Sequence, residues 1–316
     1  MADLAVVIVT WNVRDLVLNA LQSLYADLEQ SALTATVYVV DSASHDGTPQ
    51  AVADAFPKVK LIASHENLGF GRANNLAMRQ MGFGQGDSSH TPPEVVYLLN
   101  PDTITQLGAT RALYDALRSQ PDAGMVGAQL AYEDGHFQHS AFRFPGLRQL
   151  WVELFPTPPR LYDSPFNGRY PQALYQAGVP FKVDFTLGAT MMLRREVIEQ
   201  TGMFDEQFFM YCEEIDWAWR IYKAGWHIYC VPTARVIHLS GQSTGQARPQ
   251  SFINLWTSRL RLYKKHHPSW KARVARWMVA LGMRRRARQL GDVPAEQRAA
   301  MHKAYQTIEH LALSSE

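Results

Sequence analysis

The chain has 316 residues, 47% of them hydrophobic, with ordinary Gly and Pro content, which is enough to bury a full α/β core with a small appended unit and excludes a collagenous or disordered chain. Its formal net charge of +2 conceals a split, because residues from 246 onward carry about fourteen Lys and Arg against about four Asp and Glu. A basic tail of that kind, following an acidic body, suggests contact with an anionic surface.

Residues 4–9 form an unbroken apolar run that ends at Thr10, Trp11 and Asn12, and Leu16, Leu18, Ala20, Leu21 and Leu24 then recur at helical spacing. A second strand over 37–40 ends at Asp41 and is followed by the turn-rich SASHDGT and a helix over about 49–55; a third short strand covers 58–63. Three strand-to-polar-tip units in succession predict a right-handed βαβ series with a parallel sheet. Asp41 at its strand tip could accept from a nucleotide base or ribose hydroxyl, or simply cap the turn.

The segment 65–80, HENLGFGRANNLAMRQ, is a poor dinucleotide fingerprint because the third glycine position is Asn74. It reads better as a loop whose glycines allow close backbone approach, opening a helix with Arg72, Asn74 and Asn75 near its N-terminus, where anions are favoured. A solvated loop over 84–93 leads to residues 95–102, VVYLLNPD. This run predicts a strand buried on both faces and stopped by Pro101, with Asp102 at its tip. Ligands collect outside the carboxyl ends of such strands, so Asp102 there is either a site for a hard divalent cation or a turn residue.

Further on, the pattern predicts a helix over 107–117, a strand over 124–130 and a turn over 131–135. Residues 144–181 are rich in Pro, aromatics and Arg without clear periodicity, which suggests either acceptor recognition or a variable surface loop. The run 183–194 carries Gly188 and Ala189 in its middle, where Gly marks close approach of a ligand or another backbone. Within the stretch 204–226, Ile215, Trp219 and Tyr222 recur on one face of a helix closed by Gly225. Glu213, Glu214 and Asp216 crowd its first turn beside Tyr211 and Trp217. The helix dipole favours acids there, yet crowded carboxylates also raise at least one pKa toward that of a general base. The last strands of the body cover 227–231 and 234–239 and carry His238.

The series VVIVTWN, VVDSASHDGT, ENLGFGRANN, YLLNPD, GATMMLRRE, FFMYCEEIDWAWR and VIHLSG resembles the family 2 inverting glycosyltransferases of GT-A fold, in particular their bacterial rhamnosyltransferase-like branch. The resemblance covers roughly residues 4–243. It implies a Rossmann-like, mixed, mostly parallel sheet flanked by helices. It also implies a catalytic domain over 1–245, with a nucleotide-binding half to about 102 and an acceptor-binding half from 103, and leaves a basic helical extension over 246–316. By the same resemblance Thr10, Trp11, Asn12, Asp41, Asn67, Gly69, Arg72, Asn74, Asn100 and Asp102 match the nucleotide-binding positions. Asp102 and His238 match the protein ligands of a divalent metal, Mg2+ or Mn2+, and Asn100 stands where the family more generally has an aspartate. Gly188, Ala189, Glu213 and Trp217 are the expected substrate-binding residues.

The family's base is an aspartate in a Glu-Asp-x-Asp pattern, and that position is Glu214 here, one methylene longer. Either the backbone sits back, or Asp216 takes the role, or activity is impaired. The implied reaction moves a sugar from a nucleoside diphosphate, dTDP-rhamnose or a UDP-sugar, to a hydroxyl of a glycan or lipid-linked acceptor in cell-surface polysaccharide synthesis. A sugar nucleotidyltransferase and a non-catalytic nucleotide-sugar-binding scaffold are the alternatives.

In the tail, residues 252–265 predict a helix, and Trp270, Val274, Trp277, Met278 and Leu281 trace one apolar face of the next, with Lys271, Arg273 and Arg276 away from it. That face either lies in an anionic membrane interface or packs on the body. No nucleic-acid-binding module is recognisable, which together with the acidic body argues against a nucleic-acid partner. Two cysteines, Cys212 and Cys230, only Met1-Ala2-Asp3 before the first apolar run, and no apolar run near ~20 residues predict a cytoplasmic protein, peripheral on the inner face of the membrane at most.

Overall fold

The computed structural model describes residues 4–84, 91–239, 248–291 and 294–314. Its first half alternates strand and helix: β1 (Leu4–Thr10), α1 (Arg14–Gln30), β2 (Ala35–Ser42), α2 (Thr48–Ala55), β3 (Lys60–Ser64), α3 (Gly69–Gln80) and β4 (Val95–Leu99). Next come β5 (Thr103–Thr105), α4 (Ala109–Ser119), β6 (Ala123–Ala131), β7 (Phe137–Gln138), β8 (Ala141–Phe142), α5 (Leu147–Leu154), α6 (Gln172–Gln176), β9 (Phe181–Val183) and β10 (Phe185–Thr186). The body closes with β11 (Thr190–Arg194), α7 (Arg195–Thr201), α8 (Glu213–Lys223) and β12 (His227–His238), and three further helices follow: α9 (Arg248–His266), α10 (Ser269–Arg288) and α11 (Ala295–Leu313).

The main sheet runs β3-β2-β1-β4-β11-β6-β12-β5, with β7 on β6 and β9 on β12. Its longest ladders, β1 with β2 and β6 with β12, are parallel, while β11 inserts antiparallel between β4 and β6. Apolar runs without alternation are explained by burial on both faces. Leu4, Val6 and Ile8 of β1 and Val95, Tyr97 and Leu99 of β4 join the core under α1 and α4. Their neighbours Ala5, Val7, Val96 and Leu98 join the core under α3 and α8. Each fully buried Val or Leu contributes about 1.5–3 kcal/mol, so both layers hold the strand tips in place.

Several elements differ from expectation. Residues 144–181 contain α5 and α6, and α5 is an integral wall: Leu150 and Leu154 pack with Trp256, Tyr263, Val279, Met283 and Ile308 of α9–α11 in a separate apolar cluster. The two expected strands around His238 are one strand, β12, with a bulge between Val231 and Arg235. On α8 the buried stripe is Trp217, Ala218 and Ile221, whereas Tyr222 is 58% exposed. On α10 the inward stripe is Ala272, Ala275, Val279 and Met283, and Trp270, Trp277 and Leu281 face outward. The reading in which that tryptophan face packs on the body is therefore corrected: small residues let α10 approach α5, and the tryptophans are left outside. The expected loop at 85–90, Ser240 and Gly241 of the last motif, and the expected boundary at 245 lie outside the described residues.

Candidate active site

Strand register gathers the polar tips. The antiparallel pairing of β12 with β5 sets His238 opposite Thr103, and the Leu239 N–H donates to the Asp102 carbonyl at 2.9 Å. His238 Nε2 consequently lies 3.5 Å from Asp102 Oδ1, with both side chains 8% exposed. The pairing of β11 with β4 brings in the segment before β11, and the Asn100 N–H donates to the Ala189 carbonyl at 3.0 Å. Asn100 Oδ1, Asp102 Oδ1 and His238 Nδ1 are buried without a hydrogen-bond partner among the described residues. Unmet buried acceptors of this kind at a strand tip mark a place for a ligand.

Opposite this cluster stands the first turn of α8. It is reached through Tyr211 and Cys212, two successive left-handed non-glycine residues at φ 68° and 66°, a costly conformation that persists where surrounding structure imposes it. Gly69 makes the packing possible. Its φ is +70°, and a Cβ there would lie 2.1 Å from the Phe209 carbonyl oxygen, so only glycine lets α3 start against the 208–212 turn. Asn75 secures the same contact, donating to the Phe204 carbonyl at 2.9 Å and accepting the Phe204 N–H at 3.0 Å.

The result is a cavity of about 360 Å³ whose wall includes Thr10, Trp11, Asn67 and Gly69 on one side and Gly188, Ala189, Glu213 and Glu214 on the other, with Asn100, Asp102 and His238 at its base. Burial pushes the Glu214 carboxyl up to about 7. Burial, reinforced by the charge of Glu214, pushes Glu213 well above the usual carboxylate range, and its Oε2 has no partner among the described residues. A Cβ on Gly188 would sit 3.6 Å from Glu214 Cγ, so the glycine leaves open space beside the carboxylate.

Other expected site residues lie elsewhere. Asp41 is buried one contact beneath the cavity, accepting from Thr10 Oγ1 and the Ser44 N–H, both at 2.9 Å. Asn12 accepts the His45 N–H at 2.7 Å in the neighbouring turn. Asn74 donates to its own helix at the Phe70 carbonyl, and Arg72 pairs at the surface with Glu66. Two expectations are corrected. Asp216 does not face the cavity: its carboxylate is held by Arg220 at 2.9 Å and by Lys265 and His266 at 2.7 Å, and it ties α8 to α9. Trp217 is wholly buried, its indole N–H donating to Thr201 Oγ1 at 2.9 Å, so it is core. Sequence reasoning missed Ser42 and Met210 in the wall, and nothing in the residue types around 211 announces the left-handed turn that places Met210 there.

Comparison with known proteins agrees with this geometry. The family described as "Glycosyltransferase like family 2" matches residues 2–255. The chain belongs to that family. Among curated relatives, N-acetylglucosaminyl-diphospho-decaprenol L-rhamnosyltransferase from two strains of Mycobacterium tuberculosis is 32% identical over 247 residues, which is 77% of this chain and 79% of the relative. Among solved structures, GalNAc-T7 with UDP, GalNAc and Mn2+ superposes with a TM-score of 0.59 at 15% identity over 95% of this chain; the chain spans about half, 54%, of that protein. The mannosyltransferase PcManGT of Pyrobaculum calidifontis with GDP-Man and Mn2+ superposes at 0.52 with 20% identity, covering 98% of this chain and 84% of that one. These likenesses show the GT-A fold, and family membership makes the chain a glycosyltransferase.

In this glycosyltransferase the Asp102 and His238 pair fits a divalent ion. Two ligand atoms sharing one ion through bonds of about 2.1 Å lie roughly 3–3.5 Å apart, close to the separation seen here. Among the described residues no cluster of three or more His, Cys, Asp or Glu could hold a metal unaided. The remaining positions would fall to phosphate oxygens and water, the usual arrangement for Mg2+ at a phosphate site.

Proposed function

We propose that the chain transfers a sugar, with inversion, from a nucleoside-diphosphate sugar to a hydroxyl of a lipid-linked glycan acceptor. The observation that carries this reading is that Glu214 lines a single cavity together with Asn100, Asp102 and His238. The donor is dTDP-rhamnose, with a UDP-sugar as the alternative, and the acceptor carries a diphosphate-linked lipid; the relative's name supports rhamnose as the sugar and the lipid diphosphate as the acceptor. Thr10, Trp11, Asn67 and Gly69 line the nucleotide end, with Asp41 bracing Thr10 from below.

Asp102 and His238 would hold a divalent cation that, when bound, neutralises charge growing on the departing diphosphate. Glu214 accepts the proton of the acceptor hydroxyl as its oxygen bonds to the anomeric carbon and the bond from that carbon to the diphosphate oxygen breaks on the opposite face. A base poised near 7 is matched to this task at neutral pH. Asp216, already clamped by Arg220, Lys265 and His266, leaves the role to Glu214. The outward face of α10, with Trp270, Trp277 and Leu281 59%, 66% and 56% exposed, lies in the membrane interface and brings the cavity to a lipid-linked acceptor. Among the described residues no helix is long and apolar enough to cross a membrane.

The test is a pair of variants. Glu214→Gln is expected to lower transfer about 10²–10⁴-fold, the range of a lost general base, with nucleotide-sugar affinity within a few-fold of the parent. Asp102→Ala is expected to abolish the metal-dependent part of that affinity in calorimetry. Full turnover by the first variant overturns the base assignment, and an unchanged metal response in the second removes Asp102 from the site.

A further inference from the structure

A second cavity, about 640 Å³, opens between α5, the loops around 143 and 169, and the helices α9 and α10. Five arginines line it, Arg143, Arg169, Arg259, Arg285 and Arg286, against a single carboxylate, Glu153. Glu153 pairs with Arg259, and Arg169 pairs at 3.1 Å with Asp163, whose side chain is 80% exposed. Arg286 donates to the Glu153 carbonyl at 2.7 Å. Arg143 lies over the Tyr170 ring at 5.2 Å, and neither it nor Arg285 has a carboxylate partner among the described residues. Like charges gathered in a concave, half-apolar site raise its potential and favour an anionic ligand. Arginine is the side chain suited to phosphate oxygens.

The wall also carries the apolar side chains Leu150, Leu154, Phe155 and Leu262, beside the polar Gln149, Asn167 and Gln289. An anion bound here therefore has an apolar surface beside it. The cavity also backs directly onto the site already described. Phe185, Cys212 and Ile215 face the arginines, while Gly188, Glu213 and Glu214 of the same two segments face the other cavity. The charge of Arg259 acts on Glu214 across this shared wall.

We infer that the arginine cavity is a binding subsite for a diphosphate attached to an apolar chain, on the other side of the wall that carries Glu214. The inference rests on the glycosyl-transfer reading for the identity of that ligand as acceptor. The binding itself is independent of that reading. Arg143 and Arg285 grip the phosphate oxygens, Arg259 stays paired with Glu153 beneath them, and the Leu150 and Phe155 wall takes the first units of the chain.

The test measures affinity of the full chain for farnesyl diphosphate and for inorganic pyrophosphate by calorimetry, with the first cavity saturated by a nucleoside diphosphate and magnesium. The parent is expected to bind farnesyl diphosphate at least tenfold more tightly than pyrophosphate. Arg143→Ala with Arg285→Ala is expected to lose at least tenfold for farnesyl diphosphate while nucleoside-diphosphate affinity stays within twofold. Arg285→Glu alone, at a side chain without an ion pair to break, is expected to lose as much if the double variant folds poorly. Equal affinity of parent and both variants overturns the subsite, and equal affinity of the parent for the two ligands overturns its apolar half. Either failure leaves the Glu214→Gln outcome untouched, so the two readings fail separately.

Discussion

Asp216→Asn separates structure from catalysis in the acidic turn. Asn keeps the shape of the side chain and removes its charge, leaving Arg220, Lys265 and His266 without the carboxylate that joins them across α8 and α9. Burial pushes the Asp216 carboxyl up, but the hydrogen bonds from His266 and Lys265 and the charge of Arg220 outweigh it and hold the group at about 2, against 3.8 for a free aspartate. That difference corresponds to about 2–3 kcal/mol of native stability. Because the folded pKa is depressed, the contribution is fully present above pH 3.8 and is lost as pH falls through 2. Urea denaturation at pH 7 should therefore show the variant about 2–3 kcal/mol less stable, with the gap narrowing as pH is lowered below 3.8. The folded variant at pH 7 should retain transfer within a few-fold. Unchanged stability at pH 7, or a loss of transfer of about 10²–10⁴-fold in a folded variant, would refute the assignment of Asp216 to the clamp and return it to the chemistry.

Further outcomes follow from the same geometry. With burial holding the Glu214 carboxyl at about 7, the base is active when deprotonated, so kcat/KM should climb as pH rises through about 7 and level above it; a limb centred near 4.5, the value of a free glutamate, contradicts the buried base. Gly69→Ala places a Cβ against the Phe209 carbonyl at a left-handed φ and should cost more than about 2 kcal/mol in chemical denaturation; a neutral result means that the 208–212 turn is not packed there. Replacing Trp270 and Trp277 with Ala should weaken sedimentation with anionic liposomes at least tenfold, given about 1.5–3 kcal/mol for each large apolar side chain buried. Equal sedimentation of variant and parent ends the membrane role of α10.

The strands β1 to β4, their order and the polar residue closing each one were legible because a doubly buried strand needs an unbroken apolar run and a stop, whereas β5 and the short strands β7 to β10 offer no such run. VVYLLNPD shows both in eight letters. The acids of α8 were legible as a cluster, but not their roles. Which of Glu213, Glu214 and Asp216 faces the cavity depends on the rotation of a helix set by a left-handed turn at Tyr211 and Cys212, and no residue type there signals such a turn. The stripe on α10 was read correctly as apolar and could not be assigned a side. Its inward face is made of small residues, and Gly282, where a Cβ would lie 2.7 Å from Leu154, fixes that choice by close approach.

Sequence by itself determined the α/β alternation and the identity of the chemical groups at the strand tips, since these follow from local periodicity and residue type, and the resemblance of seven motifs in register pointed to the family. Tertiary structure alone decided that Asp102 meets His238, because a ladder between β5 and β12 sets that register across more than a hundred residues of chain. It also decided that Glu214 and not Asp216 enters the cavity, and that arginines from the loop around 143, α9 and α10 share one wall with it. Such proximities are properties of packing, in which residues distant along the backbone become neighbours only after both faces of the sheet are buried.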